Sequence, residues 1–186
     1  MAEYLILTDE KDQFVGMMEK LLVHKLGLLH RAFSIFIFNT NGELLLQQRA
    51  IGKYHSGGLW SNTCCSHPHF QEEIANAVER RLWEEMGIRC AANFAFSFIY
   101  KAVFENGLTE HEYDHVYFGI TDDIPAPNKT EVANWKYMNL SALKFDMEQH
   151  PEKYSAWMKI CLPQLMNYFN DHLVKASSEI YEQVSI

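Results

Sequence analysis

Residues 72–88, EEIANAVERRLWEEMGI, are the stretch whose reading decides the fold. Ile74, Ala77, Val78, Leu82 and Trp83 recur at intervals of three and four, which places them on one face of an α-helix. Gly87 stands where a left-handed C-terminal cap falls, so the spacing predicts a helix over 70–86. Its last two turns hold Arg80, Arg81, Glu84 and Glu85. The negative end of a helix dipole is C-terminal, so glutamates there are badly placed unless something positive faces them. Ion pairs Arg80–Glu84 or Arg81–Glu85 are the plain explanation, each worth about 0.2–0.5 kcal/mol. A cation bound beside the carboxylates is the alternative.

Upstream, RAFSIFIFNTNGELLLQQRA (31–50) carries two apolar runs around Asn39-Thr40-Asn41-Gly42, the pattern of a hairpin with strands at 32–38 and 43–49. YLILT (4–8) reads as a short strand, DEKDQ (9–13) as a turn and 16–24 as a short helix. GKYHSGG (52–58) reads as a flexible loop, and Pro68 leads into the central helix. Downstream, 94–104 and 111–120 read as strands joined near Asn106-Gly107, and 131–138 as another. From Leu140 the pattern is mostly helical, with Pro163 kinking the segment or opening its second half. Strands on both sides of one helix, followed by C-terminal helices, predict an α/β fold with a mixed sheet sandwiched by helices. No repeat or linker interrupts 1–186, so one domain is expected.

With 186 residues, 48% of them hydrophobic, the chain has ample material for one core. No run approaches the roughly 20 apolar residues of a membrane helix, and MAEYLILTDEKD lacks a basic region leading into an apolar run. A soluble, unprocessed protein with no membrane partner is expected. Lys and Arg number 16 against 24 Asp and Glu, and the net charge of −8 argues against nucleic-acid binding. An anionic ligand must then meet a local basic cluster. Cys64, Cys65, Cys90 and Cys161 are too sparse for a disulfide framework, which predicts reduced thiols in a cytoplasm.

Cys65 and His67 share one face of an extended segment, because strand side chains alternate. The same period puts Glu110 and Glu112 together and turns His111 away. With His24 and His30 these residues make three imidazoles and two carboxylates, a donor set suited to Mn, Mg, Zn or Fe rather than to a thiolate-type structural zinc site. Among nine histidines some close pairs arise by chance, and a lone histidine is more often a surface or hydrogen-bonded residue than a ligand. Cys64, Cys65, His67 and His69 offer a local zinc clip instead, although adjacent cysteines are poorly placed to bind one ion together.

The run from Arg80 to Ile88 resembles the Nudix box, R-E-apolar-x-E-E-x-G-apolar, and Glu72 falls at the box's earlier glutamate. Arg81 stands where the box has its first glutamate, and Ser66 where it opens with Gly. The resemblance implies a Nudix-like mixed sheet sandwiched by helices, while the lost glutamate counts against the diphosphate hydrolysis common in that superfamily. A branch with such an altered box is the type I isopentenyl-diphosphate isomerases, which the chain resembles over about residues 20–160. WSNTCCSHP (60–68) resembles that family's W-[ST]-N-[ST]-x-C-x-H-P signature, with Ser66 where Gly is common. Lys20 to His24 and Leu29 to Ser34 resemble its first two metal-histidine segments, the interval between His24 and His30 being one residue shorter than in some relatives. Glu110-His111-Glu112 falls on its E-x-E motif.

The resemblance implies catalytic roles for Cys65, Glu112 and Tyr100. It implies a divalent metal, Mn, Mg or Zn, held by His24, His30, His67, Glu110 and Glu112, and a Mg ion held by Glu85 against a substrate diphosphate. Lys20, Arg49, Lys53 and Arg81 fall on diphosphate-binding positions, and Trp157 on an aromatic that lies against the hydrocarbon, with Trp60 a second candidate. The implied reaction interconverts isopentenyl and dimethylallyl diphosphate: an acid protonates one carbon, a base deprotonates another, and aromatic faces shield the tertiary carbocation between. A small prenyl diphosphate is the implied partner, and a monomer or weak homodimer the expected assembly. A Nudix hydrolase of nucleoside or prenyl diphosphates is the rival. A non-catalytic metal- or nucleotide-binding module leaves Cys65 and the two glutamates without a joint purpose.

Overall fold

Asp9 folds the first hairpin: its Oδ1 accepts from the Lys11 and Gln13 amides at 2.8 and 2.9 Å, and strands β1 (Tyr4–Thr8) and β2 (Phe14–Glu19) pair antiparallel on either side. The helix expected over 16–24 is therefore displaced. Residues 16–19 belong to β2, and α1 (Lys20–Leu26) begins where the Glu19 carboxylate takes the Leu21 and Leu22 amides at 3.0 and 2.9 Å. Local capping decides the start of this helix, and pairing with β1 claims the residues before it. The computed structural model describes residues 3–53 and 55–169, so the expected extent of one domain over 1–186 lies partly outside the described residues.

The next hairpin forms as expected, β3 (His30–Phe38) and β4 (Leu44–Arg49), with Asn39 Oδ1 accepting from the Asn41 and Glu43 amides to close the turn. Two strands too short to show alternation follow, β5 (Trp60–Ser61) and β6 (Cys64–Ser66). Then come α2 (Ile74–Met86), β7 (Ala92–Val103), β8 (Thr109–Ile120), β9 (Val132–Met138), α3 (Leu140–Gln149) and helical residues 156–169, here α4. Helix α2 starts four residues later than expected. Glu72 is occupied instead, accepting from the His69 amide at 2.8 Å and from the Arg80 guanidinium at 2.7 and 2.8 Å, and Gln71 has a φ of 63°. Gly87 caps the helix as expected, with φ 67°, and a Cβ there would lie 2.6 Å from the Ala126 carbonyl oxygen. Trp83 is not on the core face: it is half exposed, under the Arg89 guanidinium at 4.3 Å. In the tail the break falls at Pro151–Lys153, a single 3₁₀ turn, and α4 runs on through Pro163.

Strand β3 is the axis of the nine-stranded sheet, parallel to β8 and antiparallel to β1, β4 and β6. Its sequence explains that position, because apolar residues occupy both of its faces. Phe33, Ile35 and Ile37 pack with Val78, Leu82 and Met86 of α2, while Phe36 and Phe38 pack with Leu143 of α3 and Met158, Leu162 and Leu165 of α4. The sheet is thus covered by helices on both sides, as the α/β reading expects. Leu82 is fully buried, so truncating it to Ala should cost about 2–5 kcal/mol. Among the described residues no helix is long and apolar enough to cross a membrane.

Candidate active site

Strand register brings the chemistry together. Pairing of β3 with β8 sets His30 opposite Glu112, and pairing of β7 with β8 sets Tyr100 opposite the same residue. On the other side of β3, β6 places Cys65 opposite Ser34. His67 follows β6 at once, and its Nε2 lies 3.2 Å from Glu112 Oε1. Helix α1 adds His24, whose Nε2 is 3.0 Å from Glu110 Oε2. His24, His30, His67 and Glu110, all buried, hold ligand atoms within 4.8 Å of one another, and Glu112 Oε1 is 3.6 Å from His30 Nε2. Glu110 and Glu112 share a face as alternation predicts, and His111 turns away to the Gly27 carbonyl at 3.0 Å.

The proton positions of this cluster test its fitness for a metal. His24 Nδ1 lies 2.6 Å from the Lys20 carbonyl oxygen and His30 Nδ1 lies 2.9 Å from that of Leu28, so each ring donates from Nδ1. A neutral imidazole then carries its lone pair on Nε2. In His30 that atom is buried without a hydrogen-bond partner, 3.8 Å from Glu110 and 3.6 Å from Glu112. Burial pushes His67 down to about 4, against the pull of Glu112, so this ring is neutral, whereas His24, although buried, is held above its ordinary value by Glu110. Lone pairs and carboxylates that converge repel one another unless a positive charge lies among them. Backbone carbonyls on the outer ring nitrogens are the usual support of metal-binding histidines. The donor set fits a divalent cation that accepts nitrogen and oxygen.

Beside the cluster stand the groups that can move protons. Burial, reinforced by the charge of Asp114, pushes the Cys65 thiol well above its ordinary range. Tyr100 Oη donates to Glu112 Oε2 at 2.6 Å, and burial with the charges of Glu112 and Glu110 keeps the phenol protonated. Burial and the charge of Glu110 raise Glu112, but the neighbouring imidazoles of His30 and His67 outweigh them and hold it below the usual carboxylate value. Behind Cys65, burial and Glu112 push Asp114 up to about 8.

One cleft joins these groups to the basic residues. Cys65, Tyr100, Glu110, Glu112 and Trp157 line it together with Lys20, Arg49, Lys53, Arg81 and Glu85. Lys20, Lys53 and Arg81 also line an adjoining open depression, which puts them at the outer side. Arg49 lines the cleft itself, with its guanidinium carbon 4.9 Å from the centre of the Trp157 ring. Arg81 pairs with Glu84 at 2.8 Å and with Glu85, so the expected ion pairs form and Arg81 is one cation facing the helix end. Burial works against that charge, but Glu85 and its neighbours hold Arg81 above the ordinary guanidinium range.

Several features differ from the sequence expectations. Trp60 packs against the C-terminal core under Lys136, at 4.3 Å, rather than lining the cleft. No local zinc clip forms, because Cys64 is buried under α2 and the His69 side chain is 65% exposed. Two cleft residues went unrecognised. His55 sits buried in the glycine-rich loop, its Nε2 2.9 Å from Glu110 Oε1 and its ring stacked on Phe104. Glu131 pairs with Lys53 and lies 3.8 Å from Arg81. The only hint of His55 was a histidine two residues after a candidate phosphate-binding lysine, and nothing local marked Glu131.

A NUDIX domain family matches residues 28–158. The chain is 51% identical over 167 residues, 90% of its own length and 88% of the relative's, to the protein named isopentenyl-diphosphate Delta-isomerase 2 of Aromatoleum aromaticum. It is 48% identical over 165 residues to the isopentenyl-diphosphate Delta-isomerase of Pectobacterium atrosepticum, covering 89% of this chain and 92% of that one. Among solved structures it is similar to DR0079 from Deinococcus radiodurans, with a TM-score of 0.66 at 19% identity over 79% of this chain and 90% of that one. The MutT protein of Methanosarcina mazei gives a TM-score of 0.63 at 17% identity, over 77% and 95%. These structural likenesses bear out the Nudix-like sheet and its flanking helices.

Proposed function

The chain belongs to the type I isopentenyl-diphosphate Delta-isomerases of the NUDIX superfamily, and on that premise we propose that it interconverts isopentenyl and dimethylallyl diphosphate by protonating one carbon and deprotonating another. The observation that carries this reading is that the Cys65 thiol and the Glu112 carboxylate line one cleft together with Tyr100, Trp157 and the basic residues. An unactivated alkene is a poor base, so its acid must be held against it where water does not intrude. Cys65 gives the proton on sulfur to the terminal carbon, and Glu112 takes a proton from the carbon that loses one. Tyr100 steadies that carboxylate through its 2.6 Å hydrogen bond. The reverse direction exchanges the two roles. The tertiary cation between them meets the face of Trp157, which stabilises positive charge without offering a nucleophile.

His24, His30, His67, Glu110 and Glu112 would hold the divalent ion, Mn, Mg or Zn, and Glu85 a Mg ion shared with the diphosphate. Bound there, these ions supply positive charge that fixes the carboxylates and neutralises phosphate oxygens. Lys20, Arg49, Lys53 and Arg81 clamp the diphosphate through charge-assisted hydrogen bonds. Arg81, in place of a box glutamate, holds a phosphate where a carboxylate would help to cleave it. The same reading takes 1–186 as one domain, acting as a monomer or weak homodimer in the cytoplasm.

The test is incubation with isopentenyl diphosphate and a divalent metal in deuterated water. Deuterated dimethylallyl diphosphate supports the isomerase. Release of phosphate or pyrophosphate without a double-bond shift favours the hydrolase rival and sinks this reading.

A further inference from the structure

Between Trp157 and Cys65 lie two buried side chains that the mechanism leaves unused, Ser61 and Asn62, 1% and 0% exposed. Their hydrogen bonds can be assigned in one direction only. Trp157 Nε1, which can only donate, is 2.7 Å from Ser61 Oγ. The Ser155 hydroxyl accepts from the Met158 amide at 3.3 Å and donates to the same Ser61 oxygen at 3.2 Å. With both lone pairs engaged, Ser61 must place its own proton on Asn62 Oδ1, 2.9 Å away. The amide of Asn62 cannot be flipped, because its Nδ2 donates both hydrogens, to the Ile35 and Cys64 carbonyls at 3.2 and 2.9 Å. Its Oδ1 therefore faces Cys65 Sγ at 2.9 Å as an acceptor. Ser34, the other polar neighbour of the sulfur at 3.6 Å, donates to Asp114 at 2.7 Å and leaves the thiol proton to Asn62.

We propose that Ser61 and Asn62 are positioning residues of the hydrocarbon half of the site: one hydrogen-bond chain, running from the indole through Ser61 and Asn62 to the thiol, sets Trp157 and Cys65 relative to one another. This rests on the isomerase reading above. The chain ties the aromatic wall to the acid through Ser61 and Asn62, which belong neither to the cleft lining nor to the His/Glu cluster. Breaking it lets the ring and the thiol settle independently, and a displacement of even about 1 Å between reacting groups can cost on the order of a hundredfold in rate. The effect belongs in kcat, because Ser61 and Asn62 hydrogen-bond to none of the residues that hold the diphosphate.

The experiment is steady-state isomerisation in deuterated water by Ser61→Ala, Ser61→Thr, Trp157→Phe and the Ser61→Ala/Trp157→Phe double variant. A wild-type protein that forms no dimethylallyl diphosphate overturns the isomerase reading itself, and this inference with it. With an active wild type, Ser61→Ala should lower kcat at least tenfold with KM within about twofold, and Ser61→Thr should restore most of the loss by returning the hydroxyl. The double variant should be little worse than the poorer single variant, since both break one chain. Wild-type kcat in Ser61→Ala, a loss confined to KM, failure of Thr to rescue, or fully additive losses would each overturn the proposal. If Ser61→Ala does not fold, Trp157→Phe breaks the chain at its other end while keeping a ring, and an undiminished kcat there overturns it equally.

Discussion

The inner and outer halves of the cleft both bring charge to the edge of an apolar core, and they handle it in opposite ways. In the inner half the Glu110 and Glu112 side chains are 6% and 10% exposed and His24 and His30 not at all, and backbone carbonyls fix the orientation of both rings. In the outer half Lys53, Arg81 and Glu131 are each between a fifth and a quarter exposed and hold one another through long side chains that water reaches. Desolvated charges lose heavily when a partner is removed, whereas charges that water reaches exchange partners at smaller cost. The inner half is built to hold proton positions, and the outer half to trade one anion for another.

The sharpest way to break that contrast is to remove the proton-transfer groups. Cys65→Ala and Glu112→Gln should each lower kcat by about a thousandfold, within the usual reach of a positioned acid or base, with KM changed far less. Proton NMR of product formation reads both constants, and a loss confined to KM would place these residues in the outer half. Tyr100→Phe removes one donor to a charged acceptor, for which about 1.5–3 kcal/mol is typical, so kcat should fall roughly 10- to 100-fold. An unaltered kcat would mean that Glu112 is held without the phenol.

Glu131→Gln tests the exchange of anions. It removes a carboxylate that competes with the diphosphate for Lys53 and Arg81, so KM should fall by about two- to fivefold, and less so at high salt. Measured at two ionic strengths, a rise in KM would show instead that Glu131 helps to hold the substrate. The smallest effect lies outside the cleft. Arg80 hydrogen bonds, with that of the His69 amide, hold the Glu72 carboxyl down to about 2 from an ordinary 4.5. A depressed carboxyl stabilises the fold above the unfolded value, and that stability is lost as pH falls from 4.5 towards 2. Arg80→Ala should flatten this part of the stability–pH curve by about 1 kcal/mol, as read from urea unfolding at each pH.

Local pattern carried much of the fold. β1 came out as expected, β3, β4, β7, β8 and β9 within two residues at either end, and the Gly87 cap fell in place, because alternation and a left-handed cap are written within a few neighbouring residues. Where non-local bonds competed, the pattern misled. Residues 16–19 joined β1, and Glu72 bound Arg80 and the His69 amide instead of extending α2. Trp83 satisfied the apolar spacing and still faced outward, since the buried stripe of the last turn is Leu82, Glu85 and Met86 and Trp83 stands one residue, about 100°, around the helix from Leu82. Of the candidate site, Cys65 with His67 and Glu110 with Glu112 were legible from period two. His55, Glu131, Ser61 and Asn62 were not, because a loop histidine, a surface-type glutamate and two small polar residues become informative only through partners distant in sequence.

The sequence by itself determined which side chains share a face, where the central helix ends, that Arg81 replaces an acidic residue of the Nudix pattern, and that mixed nitrogen and oxygen donors recur in three short segments. The tertiary structure alone decided that those segments converge. Pairing of β3 with β8 and with β6 sets His30 against Glu112 and Ser34 against Cys65. It also decided which ring nitrogens donate, and that the indole of Trp157 is linked to the thiol. Register and hydrogen-bond direction depend on atoms tens of residues apart, and no local spacing specifies them.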